Sequence, residues 1–228
     1  MRLMEETKMP LRVFSIMQNK YARCLALVMT ILIGSNALLC ASGFAFEGKT
    51  TGLADATIAI IRHGEKPDSG TGLSPAGEKR AQAYSAYFQH LTLDGRPFRP
   101  DTLIATADSK NSARERLTLE PLSQALGLPI DLRFGNKDLT GLTKALRTEP
   151  HGKSVLIAWH HGTLSQLIEA LGGDPSTLLP GGQWPDDVFD YMVVLRFDHK
   201  GKPIPGSAEL IHEDFANPPG QIGAMTSH

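Results

Sequence analysis

The sequence predicts a three-layer α/β/α domain around a mostly parallel central sheet, and three observations carry that prediction. Short apolar, largely β-branched runs recur at 57–61, 102–106 and 154–159, and such runs bounded by turn residues read as buried strands. Longer stretches with helical spacing of apolar residues separate them. No internal repeat interrupts the alternation, and strands alternating with helices make a parallel sheet covered on both faces. With 228 residues, a formal charge of −1 and 41% hydrophobic residues, one globular domain is the default. Charge is balanced and no basic run interleaves with aromatics, so a nucleic-acid partner is not expected.

Taken in order, 57–61 is the first strand. Asp68-Ser69-Gly70-Thr71-Gly72 is a turn. A helix follows from Pro75 to about Leu91, capped by Ser74, with Pro at its first position and Glu78 near its positive end. Ala81, Tyr84, Ala86 and Phe88 are its expected buried stripe. Asp94-Gly95-Arg96-Pro97 is a turn, and 102–106 is the second strand. A helix from about Ser112 to Leu126 stops at Gly127, with Pro129 beyond. A short strand at 130–134 and a helix at 139–146 lead to the most strongly apolar strand, 154–159, and then to a helix at 163–171. Residues 174–186, rich in Pro and Gly, form an irregular excursion. Two late strands, 189–197 and 208–212, precede a polar tail.

The N-terminus reads as an export signal. Arg2, Lys8, Arg12, Lys20 and Arg23 precede an apolar run from Cys24 to Leu39, and small residues up to Ala45 follow. Basic, apolar and small segments in that order form a secretory signal. Residues 1–45 are thus expected to be a signal peptide and 46–228 the domain, in a periplasmic or secreted protein. An uncleaved anchor is the alternative, and it would be the sole route to membrane association. Both cysteines, Cys24 and Cys40, lie in this segment, so the domain has neither a disulfide nor a thiol nucleophile.

Three strand-to-loop junctions carry residues suited to an anion. The first delivers Arg62, His63 and Gly64. The second delivers Ser109 and then Arg114, in the first turn of a helix. The third delivers His161 and Gly162, at another helix start. In a parallel sheet all three fall at the carboxyl edge, where ligands bind. Arginine offers phosphate a planar fork of donors, histidine a nitrogen nucleophile near neutral pH, and Gly64 a close backbone approach. Two arginines and two histidines around one point are costly in a core, because unpaired buried charge is costly. Around a dianion they are well placed.

These motifs resemble the histidine phosphatase superfamily, which has the phosphoglycerate mutase-like fold. The resemblance spans most of 56–198. It rests on Arg62-His63-Gly64-Glu65, on Leu73-Ser74-Pro75-Ala76-Gly77, on the segment from Arg114 through Thr118 to Leu122, and on Trp159-His160-His161-Gly162. It implies His63 as nucleophile and Arg62, Arg114 and His161 as phosphate-binding catalytic groups, with Arg116 and His160 left outside the set. It implies a phosphohistidine intermediate, a small phosphorylated substrate and neither metal nor other cofactor. Gly162 stands where the acid-phosphatase branch carries Asp, and Lys66-Pro67 where that branch carries a further arginine, so the phytase-like branch is disfavoured. The proton donor is left open among Glu65, Asp138, Asp186 and Asp187. A phosphomutase, or a phosphate- or phosphoglycan-binding module without turnover, are the alternative functions. Substrate identity and oligomeric state are not legible in the sequence.

Overall fold

The computed structural model describes residues 50–215; the expected signal segment, 1–45, and the polar tail after Ala216 lie outside them. The central sheet has six strands: β2 (Thr57–Arg62), β5 (Thr102–Ala105), β6 (Ile130–Asp131), β8 (Ser154–Trp159), β9 (Tyr191–Arg196) and β10 (Glu209–His212). Their order is β10-β9-β2-β8-β5-β6. β2, β8, β5 and β6 are parallel, while β9 runs antiparallel to both β2 and β10. The expected fold class holds. A two-residue pair joins β1 (Thr50–Thr51) to β7 (Pro150–His151), and β3 (Thr92–Leu93) pairs with β4 (Arg96–Pro97).

The period of two along each strand builds two cores. Ile58 and Ile60 of β2, Val155, Ile157 and Trp159 of β8, and Val193 and Leu195 of β9 face one side. That side is covered by α3 (Leu139–Thr148) and α4 (Leu164–Ala170). Ala59, Ile61, Leu156, Ala158, Met192 and Val194 face the other, under α1 (Pro75–His90) and α2 (Arg114–Leu126). Strands apolar on both faces are what a sheet buried between helix layers requires.

Local chemistry sets the element ends. Ser74 caps α1 by accepting from the Gly77 N–H, and Asp138 caps α3 by accepting from the Gly141 N–H. Gly127 ends α2 in the left-handed region. Four details differ from expectation. Tyr87, not Ala86, joins Ala81, Tyr84 and Phe88 in the buried face of α1, because positions three and four residues apart share a helix face. The 94–97 turn is a hairpin: Asp94 and Gly95 both have positive φ, as a tight twisted two-residue loop needs. The strand expected over 130–134 pairs only at Ile130 and Asp131. The excursion contains a short helix, Pro175–Leu178.

Candidate active site

β2 ends inside the protein with Arg62, and the chain leaves its edge with His63. Both are 1% exposed. Arg62 Nη1 donates to the carbonyl oxygens of Pro185 (3.1 Å), Asp186 (2.7 Å) and Val188 (3.1 Å), and the guanidinium lies 3.9 Å from the centre of the Phe189 ring. Its Nε is buried without a partner. Burial lowers the Arg62 pKa to about 10, against the opposing charges of Asp186, Glu65 and Asp187. The guanidinium is thus held by main-chain carbonyls and an aromatic face, and keeps a desolvated donor in reserve. An unpaired buried donor is expensive unless a ligand takes it.

His63 Nδ1 lies 2.7 Å from the Gly64 carbonyl oxygen. A carbonyl only accepts, so Nδ1 carries the proton and Nε2 holds a lone pair in the neutral ring. Nε2 faces His161 Nδ1 at 3.3 Å, which makes His161 Nδ1–H the donor of that contact. Burial, outweighing the Gly64 bond, lowers the His63 pKa to about 3, with the charges of Arg62, His161 and His160 adding to it. Burial likewise lowers that of His161 to about 4, helped by Arg62 and His160 and opposed by Asp186. Near pH 7 both rings are neutral.

The loop after β2 is fixed from two sides. The Gly64 N–H donates to Thr118 Oγ1 (2.8 Å), and that hydroxyl donates to the Arg114 carbonyl (2.7 Å). Glu65 takes a forked ion pair from Arg80, with contacts of 2.8 to 3.1 Å. Burial raises the Glu65 pKa, but the Arg80 hydrogen bonds and charge prevail and hold it below the ordinary value. Arg80 also lies 3.5 Å from Glu213, which accepts from the Tyr84 hydroxyl at 2.8 and 3.0 Å.

The structure therefore brings Arg62, His63, Gly64 and His161 together. Arg114 is placed differently. Its guanidinium donates to the carbonyls of Gly72 (3.0 Å) and Gly70 (2.8 Å) and to Ser112 Oγ (3.2 Å), and none of these bonds reaches the two histidines. Arg116 is paired with Asp108 at 2.8 Å. Ser109 Oγ closes its own loop by accepting from the N–H groups of Asn111 and Ser112. Among the candidate acids, Glu65 is held by Arg80 and Asp138 by its helix cap. Asp186 Oδ1 lies 3.7 Å from His161 Nε2.

Two participants were not placed in the site by the sequence reading. His160 stacks on His161, ring centroids 4.8 Å apart, and lies 6.1 Å from His63; its position beside His161 at a strand end was the available signal. Arg80 has none, being fifteen residues from the carboxylate it binds. Among the described residues no group of three or more His, Cys, Asp and Glu side chains is arranged to hold a metal ion. A separate cavity of about 280 Å³, lined by Leu103, Phe134, Leu142, Asp131, Glu149 and His151 among others, lies beside β6 and includes none of Arg62, His63 and His161.

No family model matches the chain, and no curated protein matches it. Solved structures do. One, assigned as the phosphohistidine phosphatase SixA of Agrobacterium tumefaciens, is 21% identical over 63% of this chain and 92% of its own, with a TM-score of 0.43. Phosphoglycerate mutase of Plasmodium falciparum is 16% identical over 68% of this chain and 92% of its own, at 0.44. A mycobacterial glucosyl-3-phosphoglycerate phosphatase solved with inorganic phosphate is 13% identical over 72% and 98%, at 0.39. At these identities and TM-scores the likeness assigns no activity to this chain.

Proposed function

We propose that the chain is a phosphatase of the histidine phosphatase superfamily, hydrolysing a phosphomonoester or related phosphorylated group through a phosphohistidine at His63. The observation that carries this reading is the His63 ring. It is neutral, its Nδ1 is tied to Gly64 O, and its Nε2 lone pair faces the Nδ1–H of His161. The unpartnered Nε of Arg62 and the Nδ1–H of His161 are available to non-bridging phosphate oxygens. A phosphoryl group arriving at Nε2 displaces the His161 contact and takes that hydrogen bond for itself. Positioning and charge neutralisation then do most of the catalytic work, as phosphoryl transfer requires. Arg114 joins by releasing the Gly70 and Gly72 carbonyls. Export rests on the basic-apolar-small order of residues 1–45.

The test is hydrolysis of p-nitrophenyl phosphate by the chain from residue 46, with and without EDTA, beside His63→Ala. Turnover that persists in EDTA and is abolished in the variant supports the reading. Equal rates in both proteins contradict it, and binding of phosphate without turnover favours a non-catalytic module.

A further inference from the structure

We infer that Asp186 is the proton donor to the leaving group, a catalytic assignment that rests on the phosphatase reading above. Its main chain and its side chain are placed by different groups. The Asp186 carbonyl accepts from Arg62 Nη1 at 2.7 Å, so the phosphate-binding guanidinium itself fixes the turn that carries the acid. Trp184 anchors the same turn from the core side, 5% exposed, with its Nε1–H donating to the Val188 carbonyl at 3.0 Å. From that turn the carboxylate projects into solvent, 93% exposed, with Oδ1 3.7 Å from His161 Nε2.

The tautomers give this pairing its meaning. His63 Nδ1–H is committed to Gly64 O, so His63 Nε2 is bare and His161 carries its proton on Nδ1. His161 Nε2 is then bare as well and faces Asp186. Asp186 is thus the carboxyl presented at the outer nitrogen of His161, and the negative charge of a phosphate bound beside it favours its protonated form. In-line attack by His63 Nε2 places the departing oxygen on the far side of phosphorus from His63, the side open to solvent. The competing carboxyls are occupied elsewhere. Glu65 is forked onto Arg80, Asp138 caps α3, and Glu115 Oε2 accepts from Ser112 Oγ. Asp187 makes its electrostatic contribution at Arg62, not at His161.

In the first step the Nε2 lone pair forms the N–P bond and the P–O bond to the leaving group breaks. The departing oxygen keeps that electron pair and takes the Asp186 proton, giving the alcohol. In the second, Asp186 carboxylate accepts a proton from water as the water oxygen attacks phosphorus. The N–P pair returns to Nε2, releasing inorganic phosphate and reprotonated Asp186.

The test uses Asp186→Asn, which keeps the main-chain carbonyl for Arg62 but cannot supply the proton. p-Nitrophenyl phosphate, with a good leaving group, and a simple alkyl phosphate, with a poor one, are compared in wild type, Asp186→Asn and Asp187→Asn. General acids contribute roughly 100-fold or more. The expected result is an alkyl-phosphate rate lowered about 100-fold in Asp186→Asn, with the p-nitrophenyl rate within a few fold of wild type and Asp187→Asn near wild type on both. Equal loss on both esters, or no loss on either, overturns the assignment while leaving His63-dependent turnover intact. Absence of His63-dependent turnover in the wild type removes the phosphatase reading and the assignment with it.

Discussion

Gly77 lies against the backbone of Glu65. A β-carbon at Gly77 would stand 2.5 Å from the Glu65 carbonyl oxygen and 2.8 Å from its nitrogen. The first turn of α1 thus serves as the floor on which the Arg62 loop is laid, and the Ser74 N–H donates to that same Glu65 carbonyl at 2.8 Å. The obstacle is backbone, which cannot rotate away. Gly77→Ala is expected to destabilise the fold by about 1–3 kcal/mol and to lower activity by more than its loss of folded protein. Thermal unfolding beside kcat/KM measures both; unchanged values for each would contradict the close packing.

Arg62 has two tasks, and its replacements should separate them. Arg62→Ala removes a phosphate donor and the support of the 185–188 turn together, with an expected loss of about 10²–10³ in kcat/KM. Arg62→Lys should recover little, because an ammonium is a point charge that cannot reproduce a planar fork stacked on Phe189. Steady-state kinetics on the two variants decide it, and a lysine variant near wild-type activity would contradict the geometry.

The histidine environment predicts a pH range. The folded-state values of His63 and His161, about 3 and about 4, lie below the ordinary imidazole value, so the neutral forms persist as pH falls through 6.5. In an NMR titration of the ring protons both residues are expected to stay neutral from pH 8 to 5 and to charge only below that. A midpoint for His63 near 6.5 would contradict its desolvated environment.

Glu213 makes stability depend on pH. Burial raises its pKa from the ordinary 4.5 to about 8, against the Tyr84 hydrogen bonds and the Arg80 charge. Between those values the folded state binds more protons than the unfolded state, so this group's contribution to stability declines as pH rises from about 5 to about 8. Glu213→Gln should flatten that part of the Tm-versus-pH curve. A curve identical to wild type would show that Glu213 does not titrate there.

The sheet was legible because strands buried on both faces leave uninterrupted apolar runs, as in Ile58-Ala59-Ile60-Ile61 and Val155-Leu156-Ile157-Ala158. The convergence of Arg62, His63 and His161 followed from it, since parallel β2 and β8 must end on the same edge. What stayed hidden depends on contacts between distant residues. Arg62 meets carbonyls more than 120 positions away, in a Pro- and Gly-rich excursion with no periodicity to read. Glu65 reads as a candidate acid in the sequence, whereas in the fold Arg80 holds it. Asp186 and Asp187 were indistinguishable neighbours, separated only by the turn that points one of them at His161.

Phosphoryl transfer through Nε2 of His63 leaves a covalent intermediate that can be trapped and identified chemically. Wild-type protein is mixed with a ³²P-labelled phosphomonoester, quenched within milliseconds in alkali, digested and mapped by mass spectrometry. An acid-labile, alkali-stable phosphate is expected on His63, carried on Nε2 because Nδ1 is committed to the Gly64 carbonyl, and absent from His63→Ala. Phosphate on Nδ1 of His63, on His160 or His161, or turnover in His63→Ala, would contradict it.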